Sequence, residues 1–187
     1  MPKFTASFLG QDCPGVVAVI TVLFGDAACN IEAMSQTMLC GEFAAIFVVQ
    51  APDNASVENL KAFLETGLQK ASIDLSVIVR PATEAQWGAD LECEPFVVTV
   101  DGPDRPGLIG AMSRIFARHD VNIENLKAIL GEAAPGQALF VFEIMVPQKV
   151  DVGRLRRELS SAAQQLALRV SVQHRDIFEA VHRVNTF

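Results

Sequence analysis

Tyrosine is absent from the chain, tryptophan occurs once, at Trp87, and histidine occurs only at His119, His174 and His182. These histidines fall at a helix end, at a strand end and in the tail, all in the second half. No Ser/His/Asp or Cys/His set shares an element, so each reads as a surface or core histidine rather than a catalytic base. The cysteines, Cys13, Cys29, Cys40 and Cys93, form no CxxC pair and have no histidine beside them. That excludes a zinc ribbon and a secreted disulfide framework, and no metal or cofactor is expected. The glycine loops are too short for a Walker A or dinucleotide fingerprint, which removes nucleotide chemistry.

Long apolar runs are also missing. The longest, Val16 to Phe24, is interrupted by Thr21 and is far too short to span a bilayer. Met1-Pro2-Lys3-Phe4 lacks a signal-peptide layout, so a cytoplasmic location and no membrane partner are expected. Positive charge is scarce in the first half: residues 1–92 hold 4 basic against 11 acidic residues, while residues 93–187 hold 11 of each. A net charge of −7 and a pI near 4.9 make a poor binder of a phosphate backbone, and no direct contact with nucleic acid is expected.

What is present is a repeat. Residues 10–15 read Gly-Gln-Asp-Cys-Pro-Gly and residues 102–107 read Gly-Pro-Asp-Arg-Pro-Gly. A shift of 92 positions also aligns Phe4 with Phe96, Phe24 with Phe116, and Asn30-Ile31-Glu32 with Asn122-Ile123-Glu124. After three extra residues in the second copy the shift becomes 95, which brings Phe47, Pro52, Leu60, Leu64 and Leu75 onto Phe142, Pro147, Leu155, Leu159 and Val170. The chain is a tandem duplication of units of roughly 80 to 90 residues. Units of that size bury modest cores, so further packing and a homodimer are expected.

Each copy opens with a β-forming run, Phe4–Leu9 or Phe96–Asp101, then the loop, then an apolar helix, Val16 to about Ala27 or Leu108 to His119. Pro14 and Gly15 sit where the first helix begins, and proline is tolerated in a first turn. Alternation over Ile31–Leu39, a turn at Cys40-Gly41-Glu42 and the apolar run Phe43–Gln50 predict a hairpin, repeated over Asn122–Leu130 and Ala138–Val146. Ser56 is the expected N-cap of a helix striped by Val57, Leu60, Phe63, Leu64 and Leu68. Ile73–Val79 closes the first copy, and helix Val152–Leu166 with strand Leu168–His174 closes the second. The order βαββαβ, twice, predicts an α+β protein of two ferredoxin-like units, each an antiparallel sheet with both helices on one face. The expected domains are 1–80 and 95–174, joined by a linker over 81–94. In the tail, 175–187, Ile177, Phe178, Ala180, Val181 and Val184 predict an amphipathic helix that covers apolar surface. Arg154, Arg156 and Arg157 read as a solvated helix face.

The repeated loop is where chemistry belongs. Backbone N–H groups and the positive end of a helix suit a carboxylate, and Asp12 or Asp104 beside them suits an ammonium group. Together they describe an α-amino acid. The alternative is that each Asp caps its helix and each Gly permits the turn. Asn30 and Asn122 either take a left-handed turn conformation or face the ligand groove. Cys13, a thiol at a helix N-terminus, suggests a thiol-dependent enzyme, which its counterpart Arg105 and its neighbour Asp12 both oppose.

A strand, Gly-x-Asp-x-Pro-Gly, an apolar helix ending before Asn-Ile and a β-hairpin, twice over, resembles the ACT domain family of small-molecule regulatory modules across about residues 3–80 and 95–174. The stretch from Asn30 to Phe43 and the two-unit layout look like the glycine cleavage system transcriptional repressor group. The resemblance implies a non-enzymatic regulator that binds a small amino acid at interfaces between ACT units. By motif position it puts the ligand contacts on Asp12 and Asp104, on the loop around Cys13, Pro14, Gly15, Arg105, Pro106 and Gly107, and on Asn30 and Asn122. Amino-acid-binding members often carry Asn where this chain has Asp12 and Asp104. The implied partner is a transcriptional regulator of glycine or amino-acid metabolism or, alternatively, a metabolic enzyme that the chain serves as a regulatory subunit.

Overall fold

Alternation along the first strand turns Phe4, Ala6 and Phe8 to one face, where they meet Val16, Ile20 and Phe24 from the helix that follows. The structure is a computed structural model that describes residues 1–83, 90–131 and 135–182. The chain divides into two units, Met1–Glu84 and Ala85–Phe187. The first contains β1 (Lys3–Gln11), α1 (Val16–Asp26), β2 (Asn30–Leu39), β3 (Glu42–Gln50), α2 (Val57–Lys70) and β4 (Leu75–Pro81). The second contains β5 (Cys93–Pro103), α3 (Leu108–Arg118), β6 (Asn122–Leu130), β7 (Gln137–Pro147), α4 (Val152–Gln165), β8 (Arg169–His174) and α5 (Arg175–His182). Each sheet is antiparallel, in the order β2-β3-β1-β4 and β6-β7-β5-β8. Both units are ferredoxin-like βαββαβ folds, as the repeat predicts. β4 and β5 reach into the two ends of the stretch read as a linker, and Trp87 lies outside the described residues.

The first core is aromatic. Phe8, Phe24 and Phe47 form a triangle with ring centroids 6.0, 5.6 and 5.3 Å apart. In the second unit Val100 replaces Phe8, and only the Phe116–Phe142 contact, at 5.3 Å, remains.

Three details of the sheets and the tail differ from the sequence reading. A bulge between Ile31 and Ala33 resets the alternation of β2, so Ile31 packs on the core while Ala33, Ser35 and Thr37 face the other side of the sheet. The same bulge recurs between Ile123 and Asn125. The extra residue is the glutamate of Asn-Ile-Glu: Glu32 pairs with Lys3 at 2.9 Å, and Glu124 pairs with Arg175 at 2.7 Å. Second, Val170 is not the structural match of Leu75. Val77 lies opposite Phe8 as Val170 lies opposite Val100, because the first copy has two more residues between helix and strand. Third, α5 lies against β5 and β8, on the sheet face where Val97 is 3% exposed, but of its described apolar side chains only Phe178 is turned partly inward. Ile177 and Val181 point outward, and Val184 falls outside the described residues.

In the second unit a charged network crosses the helix layer. Glu158 on α4 lies 3.2 Å from both His119 Nε2 and Arg118 Nη2 and 3.0 Å from Arg154 Nε. Hydrogen bonding from His119, then from Arg154 and Arg118, holds the Glu158 carboxyl down to about 2, against an ordinary 4.5. A carboxyl depressed by folding stabilises the native state above its unfolded pKa and loses that contribution as pH falls through the folded one. The melting temperature is therefore expected to fall between pH 4.5 and pH 2, and Glu158→Gln should flatten that part of the pH profile measured by circular dichroism. An unchanged profile would remove Glu158 from the acid response.

Candidate functional site

The chain enters its four long helices in two different ways. Ser56 accepts a hydrogen bond from the Asn59 N–H at 3.1 Å to cap α2, and Asp151 accepts from the Arg154 N–H at 3.0 Å to cap α4. The second bond holds the Asp151 carboxyl below its ordinary range. No side chain caps α1 or α3. They are entered through Pro-Gly corners instead.

Gly15 has φ 92° and ψ −2°, and Gly107 has φ 90° and ψ 0°. With a proline before it, each glycine forms the second corner of a type II turn, the position that demands positive φ. In the first unit the Val16 N–H closes this turn on the Cys13 carbonyl at 3.2 Å. Pro14 and Pro106 are therefore turn residues that precede the helices, not members of a first helical turn. The loop is also tied down from the other side. The Asp12 N–H donates to the Gly41 carbonyl at 3.0 Å, and the Asp104 N–H to the Gly136 carbonyl at 2.8 Å. Gly41 and Gly136 belong to the hairpin turns, so each hairpin fixes the position of its loop.

Capping thus accounts for neither Asp12 nor Asp104. Both loops keep the carboxylate while Pro-Gly does the work of turning the chain. The first amides of α1 and α3, which have no intrahelical acceptor, point the positive end of each helix at the loop.

The two loops then diverge. In the second unit Asp104, Arg105 and Gly107 line a pocket of about 190 Å³ with Leu108, Ile109 and Gly110 of α3 and Ala128 and Leu130 of β6. Its lining thus includes a carboxylate and a guanidinium from consecutive residues, both exposed. In the first unit the residue matching Arg105 is Cys13, half-buried and packed against the core. The first loop therefore carries no guanidinium at this position. The other half-buried thiol of this unit, Cys29, is pushed up in pKa by burial, which disfavours its reactive thiolate.

Asn30 and Asn122 begin β2 and β6, and the left-handed residues at the helix exits are Ala28 (φ 52°) and Asp120 (φ 55°) instead. Asn30 lies opposite Gln50 and Gly10 opposite Phe43 on the same strand, which separates them by about 23 Å along the strand direction at ~3.3 Å per residue. The loop and the asparagine of one unit therefore do not share a site. Sequence reasoning missed Ala128 and Leu130, whose only signal is their place on the strand beside the loop.

A larger cleft, of about 500 Å³, lies beside Gly102 on the other sheet face, lined in part by Ile129 and Leu139. Its charged groups, Asp101 and Arg169, already satisfy each other as an ion pair. Among the described residues no group of His, Cys, Asp and Glu could hold a metal ion, and no helix is long and apolar enough to cross a membrane.

Comparison with known proteins gives this loop a context. The family profile for the ACT domain matches residues 4–80 and 94–173. The UPF0237 protein of Methanopyrus kandleri is 40% identical over 92 residues, covering 47% of this chain and 96% of that protein. The UPF0237 protein of Methanocaldococcus jannaschii is 34% identical over 91 residues, covering 47% and 96%. Each of these relatives is about one unit long. An unknown protein from Galdieria sulphuraria matches in structure with a TM-score of 0.75 at 21% identity, over 92% of this chain and 98% of that one. A proposed glycine cleavage system transcriptional repressor matches with a TM-score of 0.64 at 18% identity, over 92% and 96%. At such identities the likeness concerns the fold. The profile, the curated relatives and the doubled βαββαβ architecture agree: this chain belongs to the ACT domain family of regulatory proteins and carries two copies in tandem.

Proposed function

We propose that the protein is a non-enzymatic sensor of a small amino acid, acting in the cytoplasm as a homodimer and reporting occupancy to a protein partner. The observation that carries this reading is the uncapped, Asp-bearing helix entrance, present in both units and opening on a pocket in the second. Asp104 receives the ammonium group, while Arg105 and the first amides of α3 receive the carboxylate. At about 190 Å³ the pocket is smaller than the ~300–1,000 Å³ of common ligand sites, which favours glycine or another short side chain. The first loop, with Cys13 in place of Arg105, is the weaker site.

The signal is a linkage effect. A ligand that prefers one arrangement of the molecule shifts the population toward it, and a partner that prefers the same arrangement gains affinity by the coupling energy. The acidic chain and the structural likeness to a proposed transcriptional repressor favour a partner that itself contacts DNA, a regulator of glycine or amino-acid metabolism.

A thermal-shift panel of the proteinogenic amino acids tests the reading. A ligand at about a hundred times its Kd adds ~2.7 kcal/mol to native-state stability, a shift of about 5–10 °C for a chain of this size. Asp104→Ala is expected to abolish the shift and Asp12→Ala to leave most of it. No shift with any amino acid would refute amino-acid sensing.

A further inference from the structure

Between α1 and α2 of the first unit runs an apolar groove of about 930 Å³, lined by Ala18, Val22, Leu23, Phe63, Thr66 and Gly67 among others. Val22 is 60% exposed and Phe63 is 42% exposed. α1 is uncharged from Val16 to Gly25, although one of its faces is turned away from the core. A surface helix normally carries charge there, so the exposed apolar stripe needs an explanation.

The duplication supplies a comparison within one chain. By the repeat register, Ala62, Val22, Phe63 and Asp26 correspond to Arg157, Arg114, Glu158 and Arg118 of the second unit. There the same groove is charged, and Arg118 is joined to Glu158 across it at 3.2 Å. The fold therefore does not require apolar residues at these positions.

We infer that the α1–α2 face of the first unit is the surface on which two copies of this chain associate, helix layer against helix layer. The homodimer of the proposed function is the premise, and the face is the addition. Charge complementarity identifies the occupant. Among the described residues, the only charged side chains lining the groove are Asp26 and Lys70, and neither has an ion-pair partner there. α1 and α2 run antiparallel, because each follows one of the antiparallel strands β1 and β3. Leu23 meets Gly67 midway, so Asp26 and Lys70 stand at opposite ends. A surface with one anion and one cation at its two ends is complementary to itself: a twofold axis sets the Asp26 of each copy against the Lys70 of the other, and the pairing closes at two. The α3–α4 face is a poor substitute. Its arginines would lose water against Val22 and Phe63 and gain no counter-charge.

Sedimentation velocity over a wide range of concentration reads the outcome. The wild type is expected to dimerise, and Val22→Arg/Phe63→Glu, which copies residues the second unit already tolerates, is expected to be monomeric with an unchanged circular dichroism spectrum. Asp26→Lys alone and Lys70→Asp alone should each weaken the dimer, and combining the two should restore it. A monomeric wild type, a dimer indifferent to Val22→Arg/Phe63→Glu, or a double charge reversal without rescue would each overturn the assignment. Because the readout is mass, a failure of amino-acid binding leaves this result standing, and a ligand response in the monomeric variant would separate sensing from association.

Discussion

Phe47→Ala is expected to cost the first unit about 3–5 kcal/mol, the range for truncating a fully buried phenylalanine. Phe47 is fully buried on a central strand, and its ring contacts both Phe8 and Phe24. Its removal leaves two rings facing a void that neither can fill, because both are held in an aromatic triangle by their own backbones. Domains of this size have ~5–15 kcal/mol of total stability, so the loss takes a large share. The second unit provides the control. Phe142 contacts one ring where Phe47 contacts two, so Phe142→Ala is expected to lose less. Urea unfolding of the two variants measures the difference. Equal losses would mean that the aromatic triangle adds nothing beyond buried area.

Gly10→Ala is the second large effect, expected at about 1–3 kcal/mol or more, the cost of overpacking against atoms that cannot move aside. A Cβ on Gly10 would collide with the carbonyl oxygen of Asp74 and press against Leu75. A side chain could rotate away, but a carbonyl in the approach to β4 cannot, so the ladder between β1 and β4 must open at that end. The loop bearing Asp12 begins two residues on. Hydrogen exchange should therefore report lost protection along β4 together with a displaced loop. Gly25→Ala is the control: its Cβ meets nothing within 4 Å, so the change should be neutral or slightly stabilising. Equal melting temperatures for the two variants would show that the close approach is not what holds Gly10 in place.

Most of the fold was legible because periodicity and repetition agree with each other. The stripes Leu60-Leu64-Leu68 and Leu155-Leu159-Ala163 are buried as their spacing requires, and Ser56 caps α2 where its hydroxyl predicts. The bulges at Glu32 and Glu124 were hidden because a bulge leaves the order of residue types intact and changes only which face they take. Asn30 and Asn122 were open to two readings, a left-handed turn conformation, which asparagine tolerates, or a place facing the ligand groove. The chain gives the left-handed conformation to Ala28 and Asp120 instead, since helix termination fixes the position regardless of preference. At the loop, sequence alone could not separate a capping aspartate from a ligand-binding one. The Pro-Gly turn decides against the cap by starting each helix at the residue after glycine. The pocket walls Ala128 and Leu130 depend on strand pairing, which single residues do not encode.

The outer strand β2 has a meaning for the unfinished chain as well as for the folded one. From Ala33 to Gly41 it runs without a charge or a proline, with Met34, Met38 and Leu39 turned to solvent, between single glutamates at positions 32 and 42. The matching stretch of its twin β6 carries Lys127. Before the hairpin closes, such a stretch is a template for pairing with identical nascent chains, and the two glutamates act as gatekeepers at its ends. Of the two units, the one synthesised first is thus the one more exposed to aggregation, and its safety depends on how quickly β3 covers one edge of β2.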